Sequence, residues 1–439
     1  MLWVYLKYIL QSVAGMLGLS AYILADTFFI SVKSGPDGLA ILNIILPVYG
    51  LIYGLGSMIG LGSATRFGLY RTDNASDSSY FSNSIEWNLI ISIPFVISGV
   101  FFPERILSLL GSDQYLAGLG KNYLRVILLA SPLFMCNYSF TAFSRNSDAA
   151  FIAMVASFAG SLFNIIFDYV FMFVMDLGFT GAAIATALSP AVTMAVCSIQ
   201  YIRGNDAMEF RLIRPSAKHL KASCALGVSA FTGEMSSAVI TLLFNAILLH
   251  LAGNTGVAAY GIIANISAVA MAVFNGVAQG SQPLISRSYR EGDKHQVHLY
   301  LLYSIAICLI LESLIIFLVF AFTDRIIGLF SREGDYEFIG YAYSGLRLYF
   351  LGFIAAGINT AVISYFSAVN KAVPAAVGSA LRGFISISIC ALLLSAVFGI
   401  YGLWLSFLCS EIIAFFSVMA VSHLEGRRFL SSHSFISLK

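Results

Sequence analysis

The feature that most constrains this chain is a succession of twelve apolar runs, at 4–32, 38–70, 80–102, 116–145, 150–175, 179–202, 222–252, 256–288, 296–321, 337–369, 373–398 and 400–423. Each reaches the roughly 20 residues that a helix needs to cross the hydrocarbon core of a bilayer. A backbone in lipid must satisfy its own polar groups, so runs of this length predict helices, and the expected fold is an all-α polytopic membrane protein with twelve spans. Several runs exceed the requirement by about ten residues, which predicts tilted, bent or projecting helices. Composition agrees where it matters: 59% hydrophobic residues and a mean hydropathy of +0.87 leave too little polar surface to coat a water-soluble body of 439 residues. The first run is not read as a cleaved signal ending at Ala25, because its only early positive charge is Lys7 and the apolar pattern resumes at once in Phe28-Phe29-Ile30.

Only 10% of the residues are charged, and they fall mainly in the short gaps between runs. With the N-terminus placed in the cytoplasm, the inside gaps and ends hold Arg66, Arg71, Arg145, Arg203, Arg211, Arg214, Lys218, Lys221, Arg287, Arg290, Lys294, Lys371, Arg427, Arg428 and Lys439. The outside gaps then hold only Lys33, Arg105, Lys121, Arg325 and Arg332. This bias puts both termini in the cytoplasm of a cell whose plasma membrane the chain spans, and it demands an even number of spans. A net charge of +2 gives no reason to expect a nucleic-acid partner. The six cysteines lie inside apolar runs without metal-binding spacing and read as packing residues. No cofactor is expected, since the glycine-dense stretch Gly50–Gly62 lacks the Gly-Lys-Ser/Thr ending of a phosphate loop. The histidines stand at 219, 250, 295, 298, 423 and 433, near span ends, so an intramembrane enzyme is not expected.

The chain repeats itself. Gly35-Pro-Asp-Gly38-Leu-Ala answers Gly253-Asn-Thr-Gly256-Val-Ala, Tyr70-Arg71 answers Tyr289-Arg290, and Phe102-Pro-Glu-Arg105-Ile-Leu answers Phe322-Thr-Asp-Arg325-Ile-Ile, at offsets of 218 to 220. Gly181-Ala-Ala answers Gly402-Leu-Trp at 221. Such constancy predicts a duplicated six-helix unit: a first lobe at 1–205, a cytoplasmic linker at 206–221, and a second lobe with a short tail at 222–439. Six spans preserve direction, so the pseudo-twofold axis should run along the membrane normal, with a central cavity between parallel lobes.

Within this apolar background two acids stand out. Asp168 lies four residues after Asn164, on one helical face, and Asp26 interrupts the first run. A carboxylate in hydrocarbon costs at least a few kcal/mol unless it is protonated, paired or bound to a cation, so its default reading is functional. The competing reading is a single interhelical hydrogen bond that fastens two spans together. If the fold brings the acids together, they cannot both stay ionised without a cation, and binding one can bias helix packing between two states.

These residues carry a family resemblance. Leu24-Ala-Asp26-Thr-Phe-Phe-Ile, Gly60-Leu-Gly-Ser-Ala64 leading to Tyr70-Arg71, Asn164-Ile-Ile-Phe-Asp168, and Gly178-Phe-Thr-Gly181-Ala-Ala-Ile-Ala-Thr186 make the chain resemble a multidrug and toxic compound extrusion (MATE) transporter, within the multidrug/oligosaccharidyl-lipid/polysaccharide flippase superfamily. The resemblance runs from about residue 5 to about 425 and implies two six-helix lobes that export amphipathic, often cationic compounds in exchange for H⁺ or Na⁺. It also implies that Asp26, Asn164, Asp168 and Thr186 form a cation-coupling cluster. All four offer oxygen, which suits Na⁺, and the two carboxylates suit a proton. The choice between the ions stays open. Drug-like small molecules and lipid are the expected partners, and the chain is expected to act as a monomer.

By the repeat offsets Asp26 falls opposite Phe244 or Asn245, and Asp168 opposite Ile389–Leu393, so the second lobe has no equivalent cluster. It carries other acids: Glu234, Glu312 and Glu411. Glu234 matches a position where one branch of the family has an acid linked to cation or drug binding, but the tenth-helix acid found with it is missing between Tyr341 and Tyr365. Substrate or cation contact and helix packing both stay open for Glu234. Glu312 and Glu411 are expected to form structural pairs with Arg347 or Arg382. The alternative function, a lipid-linked oligosaccharide or other lipid-precursor flippase of related architecture, requires several lumenal arginines, and only Arg347 and Arg382 lie deep in the spans.

Overall fold

A computed structural model describes residues 2–70, 78–202, 208–328 and 336–434, the side chains of 36, 78, 201–202 and 422–434 excepted. Arg71, Arg203, Arg332 and Lys439, which entered the orientation argument, lie outside the described residues, as does the linker segment 203–207. The described residues are helical almost throughout, with no strand among them.

The twelve spans are α1 (Leu2–Gly35), α2 (Asp37–Tyr70), α3 (Ser78–Phe101), α4 (Gln114–Leu129 with Ser131–Asn146), α5 (Ala150–Val174), α6 (Gly178–Ile202), α7 (217–252), α8 (254–290), α9 (Lys294–Gly328), α10 (Tyr336–Phe350 with Phe353–Ala368), α11 (372–398) and α12 (400–434). The stretch 217–290 is continuous helix except at Gly253, and a straight helix of that length would run about 110 Å, several times a bilayer's apolar thickness. The break is what makes it two spans. Gly253 takes φ 60, ψ −154, and Gly35, 218 residues earlier, takes φ 60, ψ −152 between α1 and α2. Only glycine reaches that region without strain.

The repeat read from short sequence matches is thus written into the backbone. Its other corners agree: α4 and α10 bend by 43° and 44° at equivalent places, and the turns after them hold Asp148 and Asn370, 222 residues apart, at φ 65 and φ 60.

Each half closes on its own core. Ile41, Ile45, Ile52, Leu107, Tyr123, Ile127, Phe134 and Met172 fill the first lobe, while Phe244, Tyr260, Phe274, Tyr349, Phe350, Phe353, Trp404 and Phe407 fill the second. The first helices of the two halves cross over: Tyr5 and Ile9 of α1 join the second lobe's core, and Leu220 and Cys224 of α7 pack on the first. Residues 208–216 run along α3, whose Ser82, Asn83 and Glu86 accept the backbone N–H groups of Arg211, Ser216 and Ile213 at 2.8–2.9 Å. Outward-facing positions such as Ile310, Phe317 and Val397 are exposed and apolar, as a lipid-facing surface must be.

The lobes meet on the side that carries the N-terminus. There Gln282 donates to Thr65 at 2.6 Å, Tyr5 and Ser304 share a hydrogen bond at 2.6 Å, Asn370 donates to Tyr70 at 2.8 Å, and Arg287 pairs with Asp148, which also accepts from Tyr8 at 3.1 Å. Glycine permits the closest approach: a Cβ on Gly62 of α2 would sit 2.1 Å from the Ser223 carbonyl oxygen, and one on Gly227 of α7 would sit 1.9 Å from that of Met58.

Candidate functional site

Small residues build the wall on which the cluster stands. Ala156, Gly160, Asn164 and Asp168 recur every four residues along α5 and are all buried. A Cβ on Gly160 would lie 2.1 Å from Thr193 Oγ1, so its absence lets α6 close in, and Ser189 donates to the Gly160 carbonyl at 2.9 Å. This contact brings Thr186 opposite Asn164. Beyond Asp168 the helix widens into a π turn at Val170–Val174, a device that re-aims side chains and recurs at functional sites. The following turn is tied to α1 by an ion pair between Lys33 and Asp176 at 2.7 Å, and the nearby ammonium holds the Asp176 carboxyl below the usual carboxylate range.

Asn164 is fully buried and reads best with its amide nitrogen toward Asp168 Oδ2, at 3.1 Å, and its oxygen accepting from the Thr186 N–H and hydroxyl at 3.2 and 3.3 Å. In that orientation both ends of the amide meet complementary groups, whereas the reverse sets oxygen against carboxylate. Asp26 enters from α1, 7% exposed, within electrostatic range of Asp168. Oδ1 of Asp26 and Oδ1 of Asp168 both have no hydrogen-bond partner. All four residues taken from the sequence are therefore buried in one region of the first lobe. Among the described residues no group of three or more His, Cys, Asp or Glu side chains gathers in the manner of a transition-metal site. What the arrangement offers is two under-coordinated carboxylates with an amide and a hydroxyl, a donor set able to take a proton or a monovalent hard cation.

Three tyrosines stand near the acids without having been singled out from the sequence. Tyr22, Tyr49 and Tyr123 all lie within electrostatic range of Asp26. The available signal was the pairing of Tyr22 with Asp26 and of Tyr49 with Tyr53 at helical spacing of four.

Glu234 is not part of this cluster. It is half-buried on α7 and accepts a hydrogen bond from Tyr138 of α4 across the lobe boundary at 3.0 Å. Glu411 and Glu312 take their partners within their own lobe, although Oε2 of Glu312 has none. Glu411 pairs with Arg382, whose Nε lies 2.7 and 2.9 Å from its two oxygens, and accepts from Asn359 at 2.7 Å. Glu312 accepts the backbone N–H groups of Gly357 and Ile358 at 2.7 and 3.1 Å. Of the two arginines named as partners, Arg382 makes the pair, whereas Arg347 lies over the rings of Tyr343 and Phe320 at 4.4 and 5.5 Å.

Comparison with known proteins gives consistent matches. The MatE family model matches residues 12–170 and 230–392, one segment in each half. The multidrug export protein MepA of Staphylococcus saprophyticus is 26% identical over 407 residues, covering 92% of this chain and 89% of that protein. Among solved structures, an outward-facing multidrug resistance MATE family transporter superposes with a TM-score of 0.85 at 21% identity, over 98% of this chain and 96% of the other. A MATE crystal structure in complex with MaL6 gives 0.87 at 22%, with the same coverage.

Proposed function

Because the chain belongs to the MatE family of multi-pass membrane transporters, we propose that it is a secondary active multidrug efflux antiporter, exporting amphipathic, often cationic compounds in exchange for H⁺ or Na⁺. The carrying observation is the pair of buried carboxylates, Asp26 and Asp168, each with an oxygen that lacks a hydrogen-bond partner and within electrostatic range of each other. Their mutual repulsion in low dielectric is relieved by one cation. Relief of that repulsion favours one packing of α1 against α5 and α6, and substrate favours the other, which is all that exchange by alternating access requires.

The positive-inside bias sets the N-terminal side in the cytoplasm of a plasma-membrane protein, with both termini inside. In that orientation the lobe contacts described above seal the cytoplasmic side, and the cluster is served from outside, where the inward cation gradient begins. The protein works as a monomer, since both lobes come from one chain. The flippase reading finds no support in the arginines, because Arg382 is bound to Glu411 and Arg347 is stacked on rings. Efflux of a cationic dye from a pump-deficient host, with and without a proton uncoupler and with and without Na⁺, tests the proposal: Asp168→Asn abolishes efflux while the protein stays folded in detergent. Wild-type efflux by both Asp26→Asn and Asp168→Asn proteins would end the cation-cluster reading.

A further inference from the structure

Two arginines inside the spans carry charge that no side chain answers. Arg125 of α4 and Arg347 of α10 stand 222 residues apart, the offset that relates these two bent helices, and each comes 11 residues after its helix begins at Gln114 or Tyr336. Both are half-buried, and the Nε of each is enclosed without a hydrogen-bond partner. Among the described residues neither forms an ion pair. In the first lobe the acids at this end are engaged elsewhere: Glu104 pairs with Lys121 at 2.5 Å, Asp113 accepts the Leu116 N–H at 2.7 Å, and Asp37 accepts from Tyr115 at 3.3 Å. In the second, the rings of Tyr343 and of Phe320 on α9 attract the Arg347 guanidinium but supply no anion.

The helix faces that carry these arginines leave room beside them. Gly118 and Gly340 precede them by seven residues, two turns back on the same face, and a Cβ on either would meet nothing within 4 Å. Lys121 and Glu104, with side chains 36% and 55% exposed, mark a charged rim one turn, about 6 Å, from Arg125. The helices alongside offer apolar surface: Ile93 and Ile97 of α3, and Ile310, Leu314 and Phe317 of α9, are 48–67% exposed. The repeat loses Asp26, Asn164 and Asp168 in the second half yet keeps this arginine and this glycine in both. The pair therefore answers to something that both lobes meet, and both lobes meet lipid.

We propose that Arg125 and Arg347 each hold the phosphate of an anionic phospholipid of the outer leaflet, one lipid per lobe, with its chains against α3 or α9. A guanidinium in hydrocarbon is costly unless it meets an anion or reaches the interface along its own stem. A phosphodiester offers two anionic oxygens to the planar fork of arginine, at a depth one turn from the charged rim. Its acyl chains cover the exposed apolar residues of the neighbouring helix, which a free phosphate cannot do. An anionic headgroup suits the site better than a zwitterionic one, because no cation within the lipid competes for the phosphate. The choice of leaflet rests on the orientation proposed above, whereas the binding depends neither on that orientation nor on cation coupling.

The test is native mass spectrometry of the purified full-length protein, delipidated in detergent and titrated with phosphatidylglycerol. Wild type retains two lipids more tightly than any further ones. Arg125→Met and Arg347→Met retain one each and the double variant neither, each lost site being weakened about tenfold or more. Arg347→Lys, which keeps the charge without the planar fork, falls between Arg347→Met and wild type. Lys294→Met, at the exposed start of α9 on the opposite side, keeps both lipids. Two tight lipids on the double variant overturn the proposal. So does equal retention of diacylglycerol, which has no phosphate and would report chain packing alone. Displacement of the lipid by millimolar inorganic phosphate would give the arginines to a free anion and overturn the lipid assignment. Should a Met variant fail to fold, the matching Lys variant and the diacylglycerol and phosphate titrations of wild type decide. Asp168→Asn keeps both lipids, so that lipid retention and dye efflux fail separately.

Discussion

The two lobes share a backbone and differ in what they bury. Where the first holds Asp26, Asn164, Asp168 and Thr186, the repeat offsets place Phe244, Ser386, Cys390 and Phe407 in the second. Phe244 stacks on Tyr260 at 5.0 Å, and Phe407 on Tyr349 at 4.4 Å with the rings 6° from parallel. The second lobe does hold charge, but it balances Glu411 with Arg382 and supports Glu312 with two backbone donors. Position in the repeat explains the contrast. Arg382 corresponds to Gly160 of the first lobe, where any side chain would push α5 from α6. The first lobe therefore buries two acids beside each other with no basic partner for either among the described residues, where the coupling proposed above would act, whereas the second pairs Glu411 with an arginine and ties one oxygen of Glu312 to backbone donors.

The largest effect should come from attacking the uncompensated side. Asp26→Asn and Asp168→Asn each cut cation-driven dye efflux to about a tenth of wild type or less, because the repulsion that the cation relieves is gone. Thermal stability in detergent should hold or rise. A collapse in stability with efflux per folded molecule intact would reverse the roles assigned to the two lobes.

Breaking the compensated side should do the opposite. Arg382→Met leaves Glu411 buried without its partner and costs about 3–5 kcal/mol, by the usual penalty for removing one member of a buried ion pair. The double variant Arg382→Met/Glu411→Gln recovers most of this, read as melting temperature. Glu312→Gln lowers yield and melting temperature more than turnover per folded molecule. Selective loss of transport in well-folded Glu411→Gln protein would move part of the coupling into the second lobe.

The shared backbone has its own test. Gly35→Ala and Gly253→Ala force a Cβ into a region reserved for glycine and should each cost about 1–3 kcal/mol, the two values agreeing within about 1 kcal/mol. Unequal melting shifts would show that the two breaks carry different loads.

The smallest effect belongs to the exposed Lys33–Asp176 pair. Lys33 holds the Asp176 carboxyl below its unfolded value, so the pair's contribution is fully present above the ordinary aspartate value and is lost as pH falls below it through the lowered folded value. Lys33→Ala should shift the melting temperature by about 1 °C or less at neutral pH, and the difference should vanish in high salt and once the pH falls below the lowered carboxyl value. A large shift that survives salt would mean that this corner latches α1 rather than decorating it.

How much of this was legible beforehand follows from range. Twelve spans, the repeat and the breaks at Gly35 and Gly253 are local matters of apolar length and glycine punctuation, so the sequence determined them unaided. Asp26 and Asp168 could be singled out for the same reason, since an acid in a run destined for lipid is costly wherever the run ends up. Their burial in one region of the first lobe, and the choice by Glu411 of Arg382 over Arg347, depended on which helix faces meet, and those faces are set by contacts between residues far apart in the chain. The tyrosines near Asp26, with the hydrogen bond between Tyr49 and Tyr123, were the least visible part. A tyrosine among 22, in a chain where 14% of residues are aromatic, carries no signal until tertiary packing aligns its hydroxyl with another, because hydrogen bonding acts over about 3 Å and a helical pattern says nothing about partners on a different helix.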